Sequence, residues 1–261
     1  MYRAPLTLRV ATAALLLGAT AVGCGSGTGR DDTAHGLTTV TPAPDDPTGP
    51  ATDGRSAEQL IEQTNDTMQS LAFSGVGSTT SFDGGVTLLA WNPERGLHMS
   101  YSATADDRQD MYCKDGLLYT SAPLLARSLR AQGVRITVPD RLRDVYVTKQ
   151  TDDDCTVYFL IPPIGTLAPG KDTTIDGKRA RAIEVRTSGT FSTYYVSADD
   201  PARILKLKSV RNGRTSSTTY SDFGRKQDFT LPDPDRTLTM KQFRDEVGST
   251  SGTGTNDTGH G

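Results

Sequence analysis

The sequence predicts an α+β domain: one large, strongly curved antiparallel sheet with a few helices packed on its concave side. Three observations lead there. From Ser56 to Val247 apolar residues mostly alternate with polar ones at a period of two, strand candidates outnumber helix candidates by roughly two to one, and the segments between them are short.

The domain opens with a helix, because Ser56 and Gln59 stand at capping-box spacing and Ala57, Leu60, Ile61, Thr64, Met68 and Leu71 fall on one face. The period then changes to two. Strands are predicted at Phe73–Ser81, Val86–Trp91, Gly96–Ala103, Asp110–Cys113 and Leu117–Ser121, punctuated by Asp83-Gly84-Gly85, Asn92-Pro93 and Lys114-Asp115-Gly116. A second helix runs from Pro123 to Gln132, with proline in its first turn, Leu124, Leu125 and Leu129 apolar, and Gly133 as its stop. Residues 134–150 carry no clear period, although Val145-Tyr146-Val147 reads as a strand. The acidic run Asp152–Asp154 caps a short helix into Phe159 and Leu160, ended by Pro162-Pro163. Five more strands follow, at Thr173–Asp176, Arg179–Arg186, Thr190–Val196, Ile204–Arg211 and Thr215–Phe223. A last helix takes Thr239 and Gln242 as its capping box and buries Met240, Phe243 and Val247.

Outside this domain the chain reads differently. Arg3 and Arg9 precede an apolar or small run from Ala11 to Val22, too short for the roughly 20 residues of a spanning helix, which is the pattern of a signal peptide over 1–23. The junction Ala21-Val22-Gly23-Cys24 resembles the lipobox of bacterial lipoproteins, with Ala21 where leucine is usual. On that resemblance Cys24 is diacylated, palmitate being one such chain, and holds the protein on the outer face of the cell membrane. The alternative is an ordinary secretory signal, or a fortuitous apolar start. Residues 24–55 are Gly, Ser, Thr, Asp and Pro with almost no large apolar side chain, so they read as a disordered tether with a root-mean-square span of about 30 Å. Residues 56–247 form the domain, and 248–261 a second disordered tail.

Three cysteines occur. With Cys24 acylated, Cys113 and Cys155 remain as a pair, most simply a disulfide closing a loop of about 40 residues and contributing roughly 4 kcal/mol; two buried free thiols are the alternative. Removing the signal takes Arg3 and Arg9 from 28 basic residues and leaves 26 against 31 acidic ones. No basic stripe opposes phosphates, so nucleic acid is not a partner.

The candidates for chemistry each have a plainer reading. Gly165 to Lys171 has P-loop spacing, but Asp172 stands where a hydroxyl would hold Mg²⁺, and a strand follows instead of a helix; it reads as a loop. Asp106-Asp107, Asp152–Asp154 and Asp199-Asp200 lack the ligand pattern of a calcium loop and read as solvated turns. Asn65-Asp66-Thr67 and Asn256-Asp257-Thr258 match a glycosylation pattern that carries no meaning in a bacterial lipoprotein. His35, His98 and His260 are too scattered for a zinc site. His98, the single histidine of the domain, reads as an outward-facing strand residue, and no Gly-x-Ser-x-Gly elbow exists. No catalytic residue, metal or cofactor is called for.

What remains is one apolar parity of the sheet: Leu97, Met99 and Tyr101; Ile183 and Val185; Tyr194 and Val196; Leu205 and Leu207. These residues either form a packed core or line a cavity wide enough for an apolar ligand.

The run Thr174-Ile175-Asp176-Gly177, Ala180 to Val185, Thr193-Tyr194-Tyr195-Val196-Ser197, Ile204 to Val210 and Tyr220-Ser221-Asp222-Phe223-Gly224 resembles the LolA-like lipoproteins of the actinobacterial LppX/LprG type. Tyr195 stands where that family has tryptophan, and the likeness covers most of Ser56 to Asp233. It implies a half-barrel sheet with helices in its mouth, enclosing a cavity that carries lipids between membrane and envelope, without catalysis. The alternative of another class is an envelope protein-interaction or stress-sensing module of the same fold, partnered by a transporter or regulator.

Overall fold

Ser56 and Gln59 close their capping box: Gln59 N–H donates to Ser56 Oγ at 3.2 Å, and Ser56 N–H donates to Gln59 Oε1 at 3.0 Å. They start helix α1 (Ala57–Ser70), whose buried stripe is Leu60, Ile61, Thr64 and Met68. The computed structural model describes residues 54–79, 85–103 and 107–248. The signal sequence, Cys24, nearly all of the tether and the tail from residue 249 fall outside the described residues.

Strands β1 (Phe73–Ser78), β2 (Val86–Asn92), β3 (Gly96–Ser102), β4 (Arg108–Lys114) and β5 (Leu117–Ser121) form an antiparallel meander. Helix α2 (Ala122–Ala131) follows, and β6 (Tyr146–Gln150) returns beside β5. The second half holds β7 (Thr166–Leu167), β8 (Thr173–Ile175), β9 (Lys178–Thr187), β10 (Thr190–Ser197), β11 (Ile204–Arg211), β12 (Arg214–Ser221), β13 (Thr237–Thr239) and α3 (Met240–Gly248). All thirteen strands belong to one sheet, in the order β13-β6-β5-β4-β3-β2-β1-β12-β11-β10-β9-β7, with β8 also on β9. Every pairing is antiparallel except β13 on β6. Two meanders are thus joined where β12 comes back to pair β1, so the first strand of the chain ends up in the middle of the sheet.

The fold class is as the sequence predicts, and strands β7 and β13 are additions. At two and three residues they are too short to carry a readable period. Thr239 and Gln242 do cap α3, with Gln242 N–H donating to Thr239 Oγ1 at 3.2 Å and Thr239 N–H to Gln242 Oε1 at 2.8 Å. Asp154 caps the 3₁₀ turn Cys155–Tyr158 by accepting from Thr156 N–H at 2.9 Å.

The main core lies between α1 and one face of the sheet. Phe73, Trp91 and Phe159 meet there, with ring centroids 5.1 Å apart for Phe73–Phe159 and 4.9 Å for Trp91–Phe159. Trp91 Nε1 donates to Gln69 O at 3.2 Å, and Asn65 exchanges two hydrogen bonds of 2.9 Å with the backbone of Ile161. The asparagine of the glycosylation pattern is therefore a pin between α1 and the segment after the 3₁₀ turn. Gly165 is used for close approach, since a Cβ there would sit 2.8 Å from Ile183 Cγ2 and 2.9 Å from Ile61 Cδ1. Lys171 pairs with Glu184, and β7 joins β9, so the P-loop lookalike is an edge of the sheet.

A second cluster packs Phe243 of α3 with Ala122, Leu142 and Val147. Val147 lies opposite Thr120, which lies opposite Met111 of the main core, so α3 covers the same face as α1.

Candidate functional site: a cavity under helix α2

Pro123 in the first turn and Leu124 at 6% exposure set α2 across the end of the sheet that α1 leaves open. Beneath it lies a cavity of about 910 Å³. Its floor is Tyr101 of β3, Met111 of β4, Leu118 and Thr120 of β5, and Tyr158; its roof is Leu124, Leu125, Ser128 and Ala131 of α2. Gln132, Arg211, Asn212 and Arg214 complete the lining. In a flat sheet β5 and β11 would be six strand spacings apart, about 29 Å. That both reach one cavity measures how tightly the sheet curls.

The walls are electrically quiet. Burial, and then the neighbouring Tyr158, pushes the Tyr101 hydroxyl far above its ordinary pKa, and that hydroxyl lies 3.6 Å from Met99 Sδ. Burial raises Tyr158 as well. No lining residue is an acid. Apolar walls of this size and a few polar groups at one side describe a site that holds a small apolar or amphiphilic molecule, pockets for such molecules running roughly 300–1,000 Å³.

Of the residues predicted from the apolar parity, Tyr101 alone lines this cavity. Leu97, Ile183, Val185, Tyr194 and Val196 are buried at 0, 0, 3, 8 and 0% exposure and are core beneath α1. Met99 and Leu207 sit partly buried at the border of that core. Leu205 is on the other face, packed with Ala180, Ala182 and Tyr195. A register shift between Tyr195 and Val196 is the reason: Tyr194 opposes Leu207, but Val196 opposes Ile204, so the bulge turns Leu205 outward and puts Ile204 in the core. Cys113 and Cys155 form a disulfide and are 0% and 4% exposed.

The sequence pattern missed Met111, Leu118, Leu124 and Leu125 as lining residues. Arg211 and Arg214 carried a readable signal, since Arg211 shares the parity of Leu207 and the two arginines bracket an Asn-Gly turn with φ +50° and +76°.

His98 faces outward, yet the chain covers it. The segment between β12 and β13 crosses the outer face of the sheet, held by Asn92 Nδ2 donating to Gln227 O at 3.1 Å and Arg95 Nη1 to Phe229 O at 2.9 Å. Phe229 closes over His98, which stacks on Tyr112 with centroids 4.3 Å apart. His98 Nε2 is 2.7 Å from Asp110 Oδ1. Burial draws the Asp110 carboxyl up, but the hydrogen bond and charge of His98, with Arg108, hold it below the ordinary carboxylate range. A depressed folded pKa stabilises fully above the ordinary value of about 3.9, and the effect disappears as pH falls through the folded value. Asp110→Asn should thus lower stability by about 1–3 kcal/mol near neutral pH and progressively less on acidification, read from urea midpoints across a pH series. A constant difference at every pH would mean that the carboxylate charge plays no part.

No protein-family model matches the chain, and neither does any curated protein. Among solved structures it is similar to an uncharacterized conserved protein from Thermus thermophilus, at 10% identity and TM-score 0.47, over 71% of this chain and 99% of that one. It is also similar to LprF from Mycobacterium bovis, at 12% identity and TM-score 0.35, over 68% and 96%. The lipoprotein LppX from Mycobacterium tuberculosis aligns at 14% identity and TM-score 0.37, over 66% and 96%. With TM-scores below 0.5, the fold class rests on the strand order above: a curled antiparallel sheet with helices on one face and a cavity at one end.

Proposed function

We propose that this chain is an extracytoplasmic lipoprotein that binds a lipid or other apolar ligand in the cavity under α2 and carries or presents it without catalysis. One observation carries the reading: a curled sheet and an amphipathic helix leave about 910 Å³ between them, walled by Met111, Leu118, Leu124 and Leu125. Acylation at Cys24 would keep the carrier on the membrane. Among the described residues no helix is long and apolar enough to cross it.

Native mass spectrometry of the protein purified from a bacterial host, followed by organic extraction, tests the proposal. A stoichiometric lipid is the expected result. A chain that arrives empty and takes up no fluorescent fatty acid would leave the second reading, a protein-interaction module. That reading is favoured by Val76, Val86 and Leu88, which are 52, 46 and 43% exposed on the outer face of β1 and β2.

A further inference from the structure

The turn between β11 and β12 places two like charges against each other. Arg211 and Arg214 are directly opposed across the strand pair, flanking Asn212 and Gly213, and both line the cavity. Like charges at opposed positions destabilise a sheet, so the pair runs against the stability of its own hairpin. The surroundings make the placement more telling. The chain has 31 acidic residues against 28 basic ones, yet none of the cavity's lining residues is acidic. Among the described residues no carboxylate lies within ion-pair distance of Arg211, whereas Arg55, Arg127, Arg141, Arg179 and Arg225 each have one within 3.3 Å.

We infer that the cavity takes an anionic amphiphile, its apolar tail between α2 and β3–β5 and its carboxylate or phosphate group held by Arg211 and Arg214. This rests on the apolar-ligand reading and narrows it to a charge class. A guanidinium presents a fork of donors that matches either oxyanion, and two forks on one short turn converge on one group. Gln132 and Asn212 at the same side add neutral polar contacts. Bound anion would relieve the repulsion that the free hairpin carries, so ligand and turn stabilise each other.

The test uses the purified protein, stripped of bound lipid, and two probes with the same pyrene-labelled chain: a fatty acid and the corresponding fatty alcohol. The acid should bind about tenfold more tightly than the alcohol. Arg211→Gln with Arg214→Gln should erase that preference and leave the alcohol's affinity unchanged. The double variant should also melt no lower than the parent without ligand, because it loses a repulsion. Equal binding of both probes by the parent protein overturns the anion site and leaves the apolar cavity standing. Failure to bind either probe overturns the carrier reading and this inference with it. Displacement of the acid by low-millimolar inorganic phosphate, with the alcohol unaffected, would show a free-anion site and overturn the amphiphile.

Discussion

Replacing both Cys113 and Cys155 with alanine should destabilise the domain by roughly 4 kcal/mol, and so lower its urea midpoint by roughly 2 M. The bond closes a separation of 42 residues, a loop long enough for the entropy of the unfolded chain to dominate the effect. It also ties together two parts that little else joins. Cys113 belongs to β4, whereas Cys155 opens the 3₁₀ turn that presents Tyr158 to the cavity and Phe159 to the core. Alanine is the proper replacement, since both sulfurs are buried and a serine hydroxyl would add an unpaired polar group. Equilibrium unfolding of parent and double variant, each with and without reductant, separates the possibilities. Reductant should bring the parent to the variant's midpoint and leave the variant where it is. An unchanged midpoint in the variant would mean that Phe159 and the Asn65–Ile161 hydrogen bonds hold the turn by themselves.

The fold was legible because its signals are local. Capping boxes at Ser56/Gln59 and Thr239/Gln242, the proline at the head of α2 and the turn glycines all act within a few residues, and each forms as read. The disulfide was legible by pairing once Cys24 was set aside. The candidate site was much less so. A period of two says which side of a strand a residue faces, but not whether a helix covers that stretch. Leu97 and Tyr101 share a face of β3, yet one is beneath α1 and the other opens onto the cavity. Counting parity also fails across a bulge, as Leu205 shows. The strap over His98 was invisible for another reason. Residues 224–233 have no periodicity, and what fixes them is side-chain donation from Asn92 and Arg95, more than 130 residues away.

The same distinction decides how the cavity should be plugged. Leu97→Trp looks suitable from the sequence, but Leu97 is 0% exposed within the packed core, so the larger ring would overpack it and destabilise the fold by about 1–3 kcal/mol or more. Loss of ligand in that variant would then prove nothing about the cavity. Ser128 is the better site. It is exposed on α2, lines the cavity and stands one turn from Leu124 and Leu125, so a tryptophan there can enter the open space without displacing core. An indole occupies roughly 200 Å² of contact surface, worth about 5 kcal/mol to a competing apolar tail if all of it were lost, and half that loss is already about a hundredfold in affinity. Ser128→Trp should therefore bind a fluorescent fatty acid at least about a hundredfold more weakly than the parent while melting at the same temperature. Binding that survives the indole would place the ligand elsewhere. The outer-face row Val76, Val86 and Leu88, which a plug under α2 cannot touch, would then be the next surface to mutate.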